Sequence, residues 1–394
     1  MFGCARVVFN DVIAARNDAR TAGLKMPSAG ELSKRLLTNA KATPERAWLA
    51  EVSAVPLQQA LADADRAYRN FFNSLSGKRK GRLVGSPRFK SRRDHRQSVR
   101  FTNNAGYKVT ATSHGVGFLT LPKIGRVRFN LSRALPSDPS SVSIIREADG
   151  RYYVSFVVDV GTTPLVPTNT ASGIDLGLTD LAAVVSADGT REKVANPRYL
   201  RRKERSLARA QRALSRKQKG SQNRAKARIK VAILHRRVRE TRLDHHHKLA
   251  RRLVHENQVV AVEGLSISGL ARTRMARSIQ DAGWGILLRL LAEKADQYDR
   301  AIITIGQWEP TSQVCSVCGV KDGKKPLSVR VWACGGCSTV LDRDYNAAVN
   351  IMVAAGLAET LNARGRNIRL ALASAVPDEA GTRRTDPSHP VAAA

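Results

Sequence analysis

The spacing of apolar positions divides the chain into three stretches with different predicted secondary structure. In the first stretch, the segment PLQQALADADRAYRNFF repeats apolar residues every three or four positions, which predicts an α-helix. Ser28 is followed three residues later by Glu31, the pattern of a capping box, so a further helix is predicted to begin there. We therefore predict a helical domain over residues 1–84.

The second stretch, residues 85–165, carries apolar, β-branched and aromatic residues in the short alternating runs typical of β-strands. The segments GVGFLTL, GRVRFNL, SVSIIREADG and RYYVSFVVDV are of this kind, and turn residues separate them. Short strands at this spacing predict a small β-barrel or a sandwich. The segment GTTPLVPTNTAS that follows them predicts a linker.

In the third stretch, apolar strands alternate with helices, as in α/β proteins. GIDLGLTDLAAVVSADGTREKV predicts two or three strands joined by tight turns, QVVAVEGL and AIITIGQ predict further strands, and AGWGILLRLLAEKADQYD and DYNAAVNIMVAAGL predict helices. We predict an α/β core over residues 166–310 with a basic helical insertion at 197–256, a cysteine-rich insert at 311–340 and a last core segment at 341–360. The composition of residues 361–394 predicts a disordered tail.

Four of the five cysteines form two Cys-x-x-Cys pairs, a common arrangement in structural zinc sites. They are Cys315, Cys318, Cys334 and Cys337. Two such turns can direct four thiolates at one point and complete a tetrahedral site for one zinc ion. Two disulfides or a redox pair are the alternatives, but disulfides are rare in the cytosol and a redox pair would not be doubled. Because protein ligands fill all four positions, this zinc would be structural; Cys4 is assigned to the core.

The chain is strongly basic, with 66 Lys and Arg residues against 33 Asp and Glu residues and a formal net charge of +33. A compact chain tolerates such self-repulsion best beside a polyanion, so nucleic acid is the first candidate partner and an anionic membrane surface the second. We find no apolar run of the roughly 18 residues that a membrane-spanning helix needs, and no signal-peptide layout at the N-terminus. With cysteines few and clustered, a cytoplasmic location is expected.

Two basic segments are the predicted contacts to nucleic acid. Residues 200–252 contain twenty Lys or Arg residues against three acidic ones, so pairing within the protein does not account for the run. The Gly- and Pro-broken segment GKRKGRLVGSPRFKSRRDHR is the second. Such residues bind phosphates, and an RNA–DNA hybrid can be held through its backbone in this way. The predicted contact residues are Lys78, Arg79, Lys80, Arg88, Lys90, Arg92, Arg93, Arg216, Lys217, Lys219, Arg224, Lys226, Arg228, Lys230, Arg236 and Arg237.

Three consecutive histidines, His245, His246 and His247, invite comparison with a metal site. A helix spreads three consecutive side chains over about 200°, so they could not share one ion well. We predict that they are exposed or packing residues.

Three acidic residues end or open apolar elements of the predicted core. Asp175 lies in the strand of GIDLGL, and Glu263 ends the strand of QVVAVEGL. A third acid, Asp342 or Asp344, precedes the helix of DYNAAVNIM. Strands this apolar are usually buried and parallel, and groups at their carboxyl ends meet at one edge of the sheet. Converging carboxylates suit two Mg²⁺ or Mn²⁺ ions, which can cleave phosphodiesters, although each acid alone could be a turn residue.

These motifs resemble those of a known family. GIDLGLTDLAAVVSADG, VAVEGL and DRDYNAAVNIM look like the three RuvC motifs of TnpB, the OrfB protein of insertion sequences, which was long described as a transposase. TSQVCSVCG, QDAGWGILLRLLAEKA and SRKQKGSQNRAKARIKVAILHRRVRETRLDHHHKLA are also similar to TnpB segments. The resemblance covers residues 2 to about 360.

The resemblance implies an α/β multidomain protein: a ribonuclease-H-like (RuvC) nuclease core with an inserted zinc ribbon, plus an N-terminal helical domain and a small β-barrel. It implies an RNA-guided DNA endonuclease of a transposable element, with guide RNA and target DNA as partners and neither a membrane nor a small-molecule substrate. Such a protein would be prokaryotic and nucleoid-associated when bound to DNA. Matched by position, Asp175, Glu263 and Asp344 are the catalytic acids and ligands of Mg or Mn, with one zinc as the structural cofactor.

The sequence departs from the family pattern at its N-terminus. Family members usually carry an extra strand and a proline-containing turn ahead of a stretch such as FGCARVVFN, which here follows Met1 directly. We expect either a start upstream of Met1 or a barrel without its first strand. Two other functions stay open: a transposase proper that transfers DNA strands with the same carboxylates, and a guided DNA-binding repressor, which the presence of all three acids disfavours.

Overall fold

The computed structural model describes residues 1–92, 94, 96–112 and 115–358. Arg93 and the predicted tail at 361–394 lie outside these residues. The chain divides into two compact units, of which the first comprises Met1–Gly161 with Lys203–Glu240 and the second comprises Thr162–Arg202 with the chain from Thr241 on. The finer domain boundaries given above stay predictions. Within the described residues, every helix is too short or too polar to cross a lipid bilayer.

Helices of the first unit form where apolar residues recur at helical spacing. In the segment Met1–Gly161 they are α1 (Phe2–Thr21), α2 (Ala29–Ser33) and α3 (Ala54–Leu75), with shorter helical turns at Lys34–Asn39, Ala40–Ala42, Ala47–Glu51 and Asn103–Ala105. The predicted capping box is confirmed, because the Ser28 hydroxyl accepts a hydrogen bond from the Glu31 amide and the Glu31 carboxylate accepts one from the Ser28 amide. Buried Val8, Ile13 and Leu57 belong to the core of this unit.

Six short strands of the first unit form two antiparallel sheets of three strands each. They are β1 (Gln97–Thr102), β2 (Lys108–Ala111), β3 (Val116–Leu121), β4 (Gly125–Asn130), β5 (Ser141–Arg146) and β6 (Tyr152–Val157). One sheet has the order β1-β5-β6 and the other has the order β2-β3-β4. Buried Phe101, Leu119 and Val142 connect these strands to the core of α1 and α3. The predicted strands are therefore present, and their closure into a barrel stays a prediction.

Two long helices carry the basic insertion: α4 spans Tyr199–Ser215 and α5 spans Gln222–Glu256. In the first unit, α5 is fixed to the β5–β6 hairpin by a buried ion pair, in which the Arg236 guanidinium lies 2.6 Å from the Asp149 carboxylate and 2.6 Å from that of Glu240. In the second unit, the Asp281 carboxylate accepts hydrogen bonds from two backbone amides in the first turn of α4 and so caps that helix. Specific contacts thus position both helices in spite of their charge.

A mixed five-stranded sheet forms the centre of the second unit. Its strands are β7 (Ala171–Leu176), β8 (Asp180–Ser186), β9 (Arg191–Ala195), β10 (Val259–Glu263) and β11 (Ala301–Ile305), in the order β11-β10-β7-β8-β9. As its apolar sequence predicts, β10 runs parallel to both neighbours, whereas β7, β8 and β9 are successive antiparallel strands. The other elements are α6 (Ile267–Leu270), α7 (Ala276–Ala282), α8 (Trp284–Tyr298), β12 (Val331–Ala333), β13 (Val340–Asp342) and α9 (Arg343–Ala354).

Different helices cover the two faces of this sheet. Ile174 and Val262 face a core built with α5, α7 and α8, whereas Gly173 faces α9. A side chain at position 173 would lie well inside contact distance of the Ala348 carbonyl oxygen, so glycine allows α9 to pack directly on β7. Because side chains alternate along a strand, the residue two positions beyond Gly173 also faces α9.

Of the three consecutive histidines on α5, His246 is a buried packing residue, as predicted. Its side chain is 1% exposed, and its Nε2 lies 2.9 Å from the carbonyl oxygen of Ala282. Burial lowers the pKa of His246 to about 4. The nearby positive charge of Arg242 lowers it further, and the hydrogen bond to Ala282 only partly opposes the shift. The neutral imidazole is therefore the form that fits the fold.

We expect acid to destabilise the protein through His246. The unfolded side chain binds a proton near its ordinary pKa of 6.5 and the folded one only near 4, so the unfolding free energy falls as the pH decreases between these values, by up to about 3 kcal/mol. His246→Gln should flatten this dependence in chemical denaturation, whereas His235→Gln, at an exposed position on the same helix, should not. Identical pH dependence in wild type and His246→Gln would contradict this expectation.

Candidate active site and zinc ribbon

Asp175 and Glu263 lie side by side on the sheet face that α9 covers. The parallel register pairs Val262 with Ile174, so Glu263 stands beside Asp175 one residue further along β10 and β7. Asp175 is two positions from Gly173, and both acids therefore project towards α9. The predicted pairing of these two strands, with their acids at one edge, is confirmed.

The segment Asp342-Arg343-Asp344 lies at the start of α9, and each of its residues makes different contacts. The Asp342 carboxylate caps the helix, because it accepts hydrogen bonds from the amides of Asp344 and Tyr345 at 3.0 and 3.1 Å. Arg343 donates to the Pro326 carbonyl oxygen at 2.8 Å. Asp344 lies in the first turn of α9, and its negative charge contributes to raising the pKa of Asp175. Of the two aspartates that the residue pattern left open, Asp342 is thus the cap.

A cavity of about 340 Å³ opens beside the strand acids. Asp175 and Glu263 line it, together with Arg343 and the loop at 307–313. Burial raises the pKa of Asp175 to about 7, with a contribution from the negative charges of Glu263 and Asp344. Burial also raises the pKa of Glu263. Desolvated carboxylates that repel one another in this way form an environment suited to a cation.

The donors of this site fit a hard divalent cation such as Mg²⁺ or Mn²⁺, which prefers carboxylate oxygens. Two protein cations contact Asp344: Lys193 Nζ lies 3.6 Å and Arg330 Nη1 lies 3.2 Å from its carboxylate. Lys193 also lies 2.7 Å from Asp342 and so bridges the cap and the acid. Sequence reasoning missed both cations, since no local pattern links REKV or LSVRV to the acids.

The three acids are less tightly grouped than the cysteines. Among the residues that the structure describes, only the cysteine cluster brings three or more candidate ligand atoms within 4.8 Å of one another. Asp344 instead forms ion pairs with Lys193 and Arg330. Any metal ion bound here therefore competes with Lys193 and Arg330 for Asp344.

The four cysteines of the ribbon, residues 311–340, converge as predicted for a zinc site. The Sγ atoms of Cys315 and Cys337 are 3.7 Å apart, and those of Cys318 and Cys334 are 3.6 Å apart. A tetrahedron with Zn–S distances of about 2.3 Å has edges of about 3.8 Å, so the cluster has the size of a Cys₄ zinc site. All four are free thiols at separations far above the roughly 2 Å of a disulfide, which removes the two-disulfide alternative.

Both cysteine turns have the same backbone fold. The Cys315 amide donates to the Val320 carbonyl, and the Gly319 amide donates back to the Cys315 carbonyl; the second turn repeats both hydrogen bonds around Cys334. The residue after each pair has a positive φ, which is 75° at Gly319 and 55° at Ser338. This left-handed residue closes each turn so that its two thiols point the same way.

Two asparagines of α9 tie the ribbon to that helix. Asn350 Nδ2 donates to the carbonyl oxygens of Thr311 and Val314, each at 2.7 Å, and Asn346 Nδ2 donates to the same two at 3.3 and 2.8 Å. Asn346 Oδ1 accepts from the Ser316 amide at 2.8 Å. Sequence reasoning missed this pair. The available signal was two asparagines four residues apart in an apolar helix, because buried amides require partners.

All predicted nucleic-acid contacts that the structure describes lie in the first unit, and Arg224 and Arg236 are half-buried in internal contacts of that unit. Arg236 is held in the buried ion pair described above, and Arg224 donates to the carbonyls of Leu214 and Lys217 in the turn between α4 and α5. We therefore leave both out of the binding surface proposed below. The exposed members are Lys78, Arg79, Lys80, Arg88, Lys90, Arg92, Arg216, Lys217, Lys219, Lys226, Arg228, Lys230 and Arg237.

Known families match two parts of the chain. A model described as "OrfB_IS605: Probable transposase" matches residues 155–274, which include β7, β10 and the basic helices. A model described as "Cas12f1-like, TNB domain" matches residues 284–351, which include the ribbon and the start of α9. The two matches together contain all three predicted acids and all four ribbon cysteines.

Relatives match most of the chain. The "Putative RNA-guided DNA endonuclease" of Streptomyces pristinaespiralis is 42% identical over 361 residues, which cover 91% of this chain and 85% of the relative. The "Putative RNA-guided DNA endonuclease MT2953" of Mycobacterium tuberculosis (strain CDC 1551 / Oshkosh) is 32% identical over 382 residues, which cover 89% and 81%.

A solved structure is similar to this chain in its fold. A chain in the "Cryo-EM structure of the Cas12f1-sgRNA-target DNA complex" matches with a TM-score of 0.52 and 14% identity, covering 88% of this chain and 80% of that chain. At this identity the likeness concerns the fold alone, which is a mixed α/β fold similar to that of a Cas12 effector. With a relative 42% identical along most of both chains, the chain belongs to the TnpB family, the OrfB proteins of insertion sequences.

Proposed function

We propose that this protein is an RNA-guided, divalent-metal-dependent DNA endonuclease encoded by a transposable element. The observation that carries the proposal is the pairing of Asp175 and Glu263 on adjacent strands that α9 covers, close enough to Asp344 for its charge to act on Asp175. Its relatives bear the endonuclease name quoted above, and the solved structure of similar fold is a complex with sgRNA and target DNA. Cleavage of the phosphodiester would be hydrolytic.

In this proposal Asp175, Glu263 and Asp344 hold two Mg²⁺ or Mn²⁺ ions. When bound, such ions supply a water nucleophile at neutral pH and neutralise charge on the leaving oxygen. The chain's own residues fix the positions of the ligands: β7 and β10 present Asp175 and Glu263 from adjacent parallel strands, and the Asp342 cap orders the helical turn that presents Asp344. Lys193 keeps Asp342 ionised, because its ion pair lowers the pKa that burial alone would raise.

The exposed cations of the first unit are the proposed surface for guide RNA and target DNA. They lie in the basic loop before β1, in the turn between α4 and α5 and along α5, where acidic neighbours are few. Lysine and arginine side chains in such a run neutralise phosphates without reading bases, so binding would be strong and dependent on salt. Sequence would then be read by base pairing between guide and target.

The proposal is tested by purifying the protein after co-expression with its flanking DNA and sequencing the RNA that copurifies. One dominant short RNA is expected, and a plasmid carrying its complement should be cut when Mg²⁺ is added but not when it is left out. Heterogeneous RNA with no guided cutting would overturn the proposal. The family description quoted above, a transposase, makes strand transfer the second candidate, and that activity would join the cut ends to another DNA instead of leaving them open.

We expect three exposed cations of α5 to contribute phosphate contacts. Changing Lys226, Arg228 and Lys230 to Glu should weaken binding to any sequence and reduce the slope of log affinity against log salt by about 2 to 3, or about 0.9 for each lost contact. The matched control changes Lys25, Lys34 and Arg35, also exposed cations of the first unit, and alters the net charge equally. The same slope in both triple variants would show that these α5 residues make no special contribution.

A further inference from the structure

Trp308 is exposed to an unusual degree for its size. Its side chain is 87% exposed, the highest value among the large hydrophobic residues in the described part of the chain. It belongs to the loop at 307–313 that follows β11 and lines the cavity with Asp175 and Glu263. Single exposed apolar residues are common and normally require no explanation. Two further features distinguish this one.

The first feature is the fixed backbone beneath the indole. The Thr311 amide donates to the Glu309 carbonyl at 2.8 Å, and the Glu309 amide donates to the Gly306 carbonyl at 3.4 Å. The Thr311 carbonyl in turn accepts hydrogen bonds from the side chains of Asn346 and Asn350 on α9. The loop therefore continues from β11 at one end and is hydrogen-bonded to α9 at the other. The backbone that carries the Trp308 ring is held in place by these contacts.

The second feature is the set of polar side chains that line the cavity together with Trp308. The other residues of the loop that line the cavity include Gln307, Ser312 and Gln313, which offer hydrogen-bonding groups, and Arg343 adds a positive charge. A phosphodiester that reaches Asp175 must enter this cavity, and the base of the same or the adjacent nucleotide then lies near its rim. An aromatic ring at the rim can stack on such a base.

We propose that Trp308 is a stacking platform for an unpaired nucleobase beside the phosphodiester to be cut. The inference rests on the proposed nuclease function and adds the form of its substrate: a single-stranded segment, since bases within a duplex already stack on one another. Stacking on an aromatic ring accepts every base, because each has a π-face. Trp308 would then position the substrate without selecting its sequence.

The test combines Trp308 variants with substrates that lack one base. Guided cleavage is measured for wild type, Trp308→Phe and Trp308→Ala on intact targets and on targets with a single abasic nucleotide placed in turn around the cut. At one position the missing base should slow wild type by about 5- to 150-fold, the range expected from one lost stacking contact. Trp308→Ala should be slowed to a similar degree on the intact target and be indifferent to that abasic position, with Trp308→Phe in between.

Leu327→Ala is the matched control, because Leu327 is also an exposed apolar residue of the second unit and does not line the cavity. It should cut like wild type. The stacking proposal is overturned if Trp308→Ala cuts the intact target at the wild-type rate. It is also overturned if the fold-reduction in rate caused by Trp308→Ala multiplies with that caused by the missing base. In both cases the nuclease proposal stands.

A binding measurement keeps the two proposals separate if wild type cuts nothing. The chain has four tryptophans, and the other three are buried or partly buried. Titrating short oligothymidine without added Mg²⁺ should quench wild-type tryptophan emission, and most of that change should be lost in Trp308→Phe, which removes the fluorophore but keeps an aromatic ring. Equal quenching in both proteins would also overturn the stacking proposal.

Discussion

Asp175→Ala, Glu263→Ala and Asp344→Ala are each expected to reduce Mg²⁺-dependent DNA cleavage by at least about a hundredfold while leaving nucleic-acid binding largely intact. Loss of one carboxylate displaces a catalytic ion, and a misplacement of about 1 Å between reacting groups costs on the order of a hundredfold in rate. Binding should survive because the proposed phosphate contacts belong to the first unit, whereas the acids belong to the second. Plasmid cleavage and filter binding, measured side by side, check both expectations.

Asp342 provides the matched control for the third acid. Asp342→Asn keeps a good helix cap and removes the ion pair to Lys193, whereas Asp342→Ala removes both and should cost about 1 kcal/mol of stability. Both variants should cut more slowly than wild type but much faster than Asp344→Ala. An inactive Asp342→Asn beside an active Asp344→Ala would reverse the roles of the two aspartates, and normal cutting by all the variants would remove the nuclease proposal.

Cys334→Ser is expected to release zinc and to disorder the start of α9. Wild type should contain about one zinc per chain by elemental analysis, and the variant little or none, because loss of one thiolate from a Cys₄ site lowers metal affinity sharply. Without the metal, the carbonyls of Thr311 and Val314 are no longer held against Asn346 and Asn350, and those buried amides lose their partners. A lower unfolding temperature and loss of guided cleavage should accompany the loss of zinc.

Cys4→Ser is the control for this variant, since Cys4 lies on α1 in the first unit and outside the ribbon. It should retain zinc and cleavage. Freshly purified, reduced wild-type protein with no zinc would contradict the assignment, as would a Cys334→Ser protein with an unchanged unfolding temperature.

Features that depend on neighbouring residues were predictable from the sequence. The capping box at Ser28 and the two cysteine turns follow from residues three positions apart, and the parallel strand β10 follows from its continuous apolar run. The proximity of Asp175 and Glu263 was also predictable, because two apolar strands that end in acids imply that the acids share one edge of the sheet. The choice of Asp344 over Asp342 came from family resemblance, and the geometry adds a physical reason, since Asp342 is occupied as the cap of α9.

Contacts between distant segments were not predictable in this way. Lys193 reaches Asp342 from β9, and Arg330 reaches Asp344 from the ribbon, and neither lies in a pattern that specifies its partner. Arg224 and Arg236 have the same composition around them as the exposed cations, yet they hold internal carbonyls and carboxylates. A charge run indicates that a surface is basic, but the tertiary fold decides which of its members face the solvent.

No linker residue separates the β12–β13 hairpin from α9. β13 ends at Asp342, and the helix begins at Arg343. An α-helix turns by about 100° per residue, so one residue inserted ahead of Asp344 would rotate that acid away from the sheet, and one deleted residue would do the same in the opposite sense. Over evolution, the interval from Cys337 to Asp344 should therefore keep a constant length even where its amino acids are replaced, because the spacing itself aims the carboxylate.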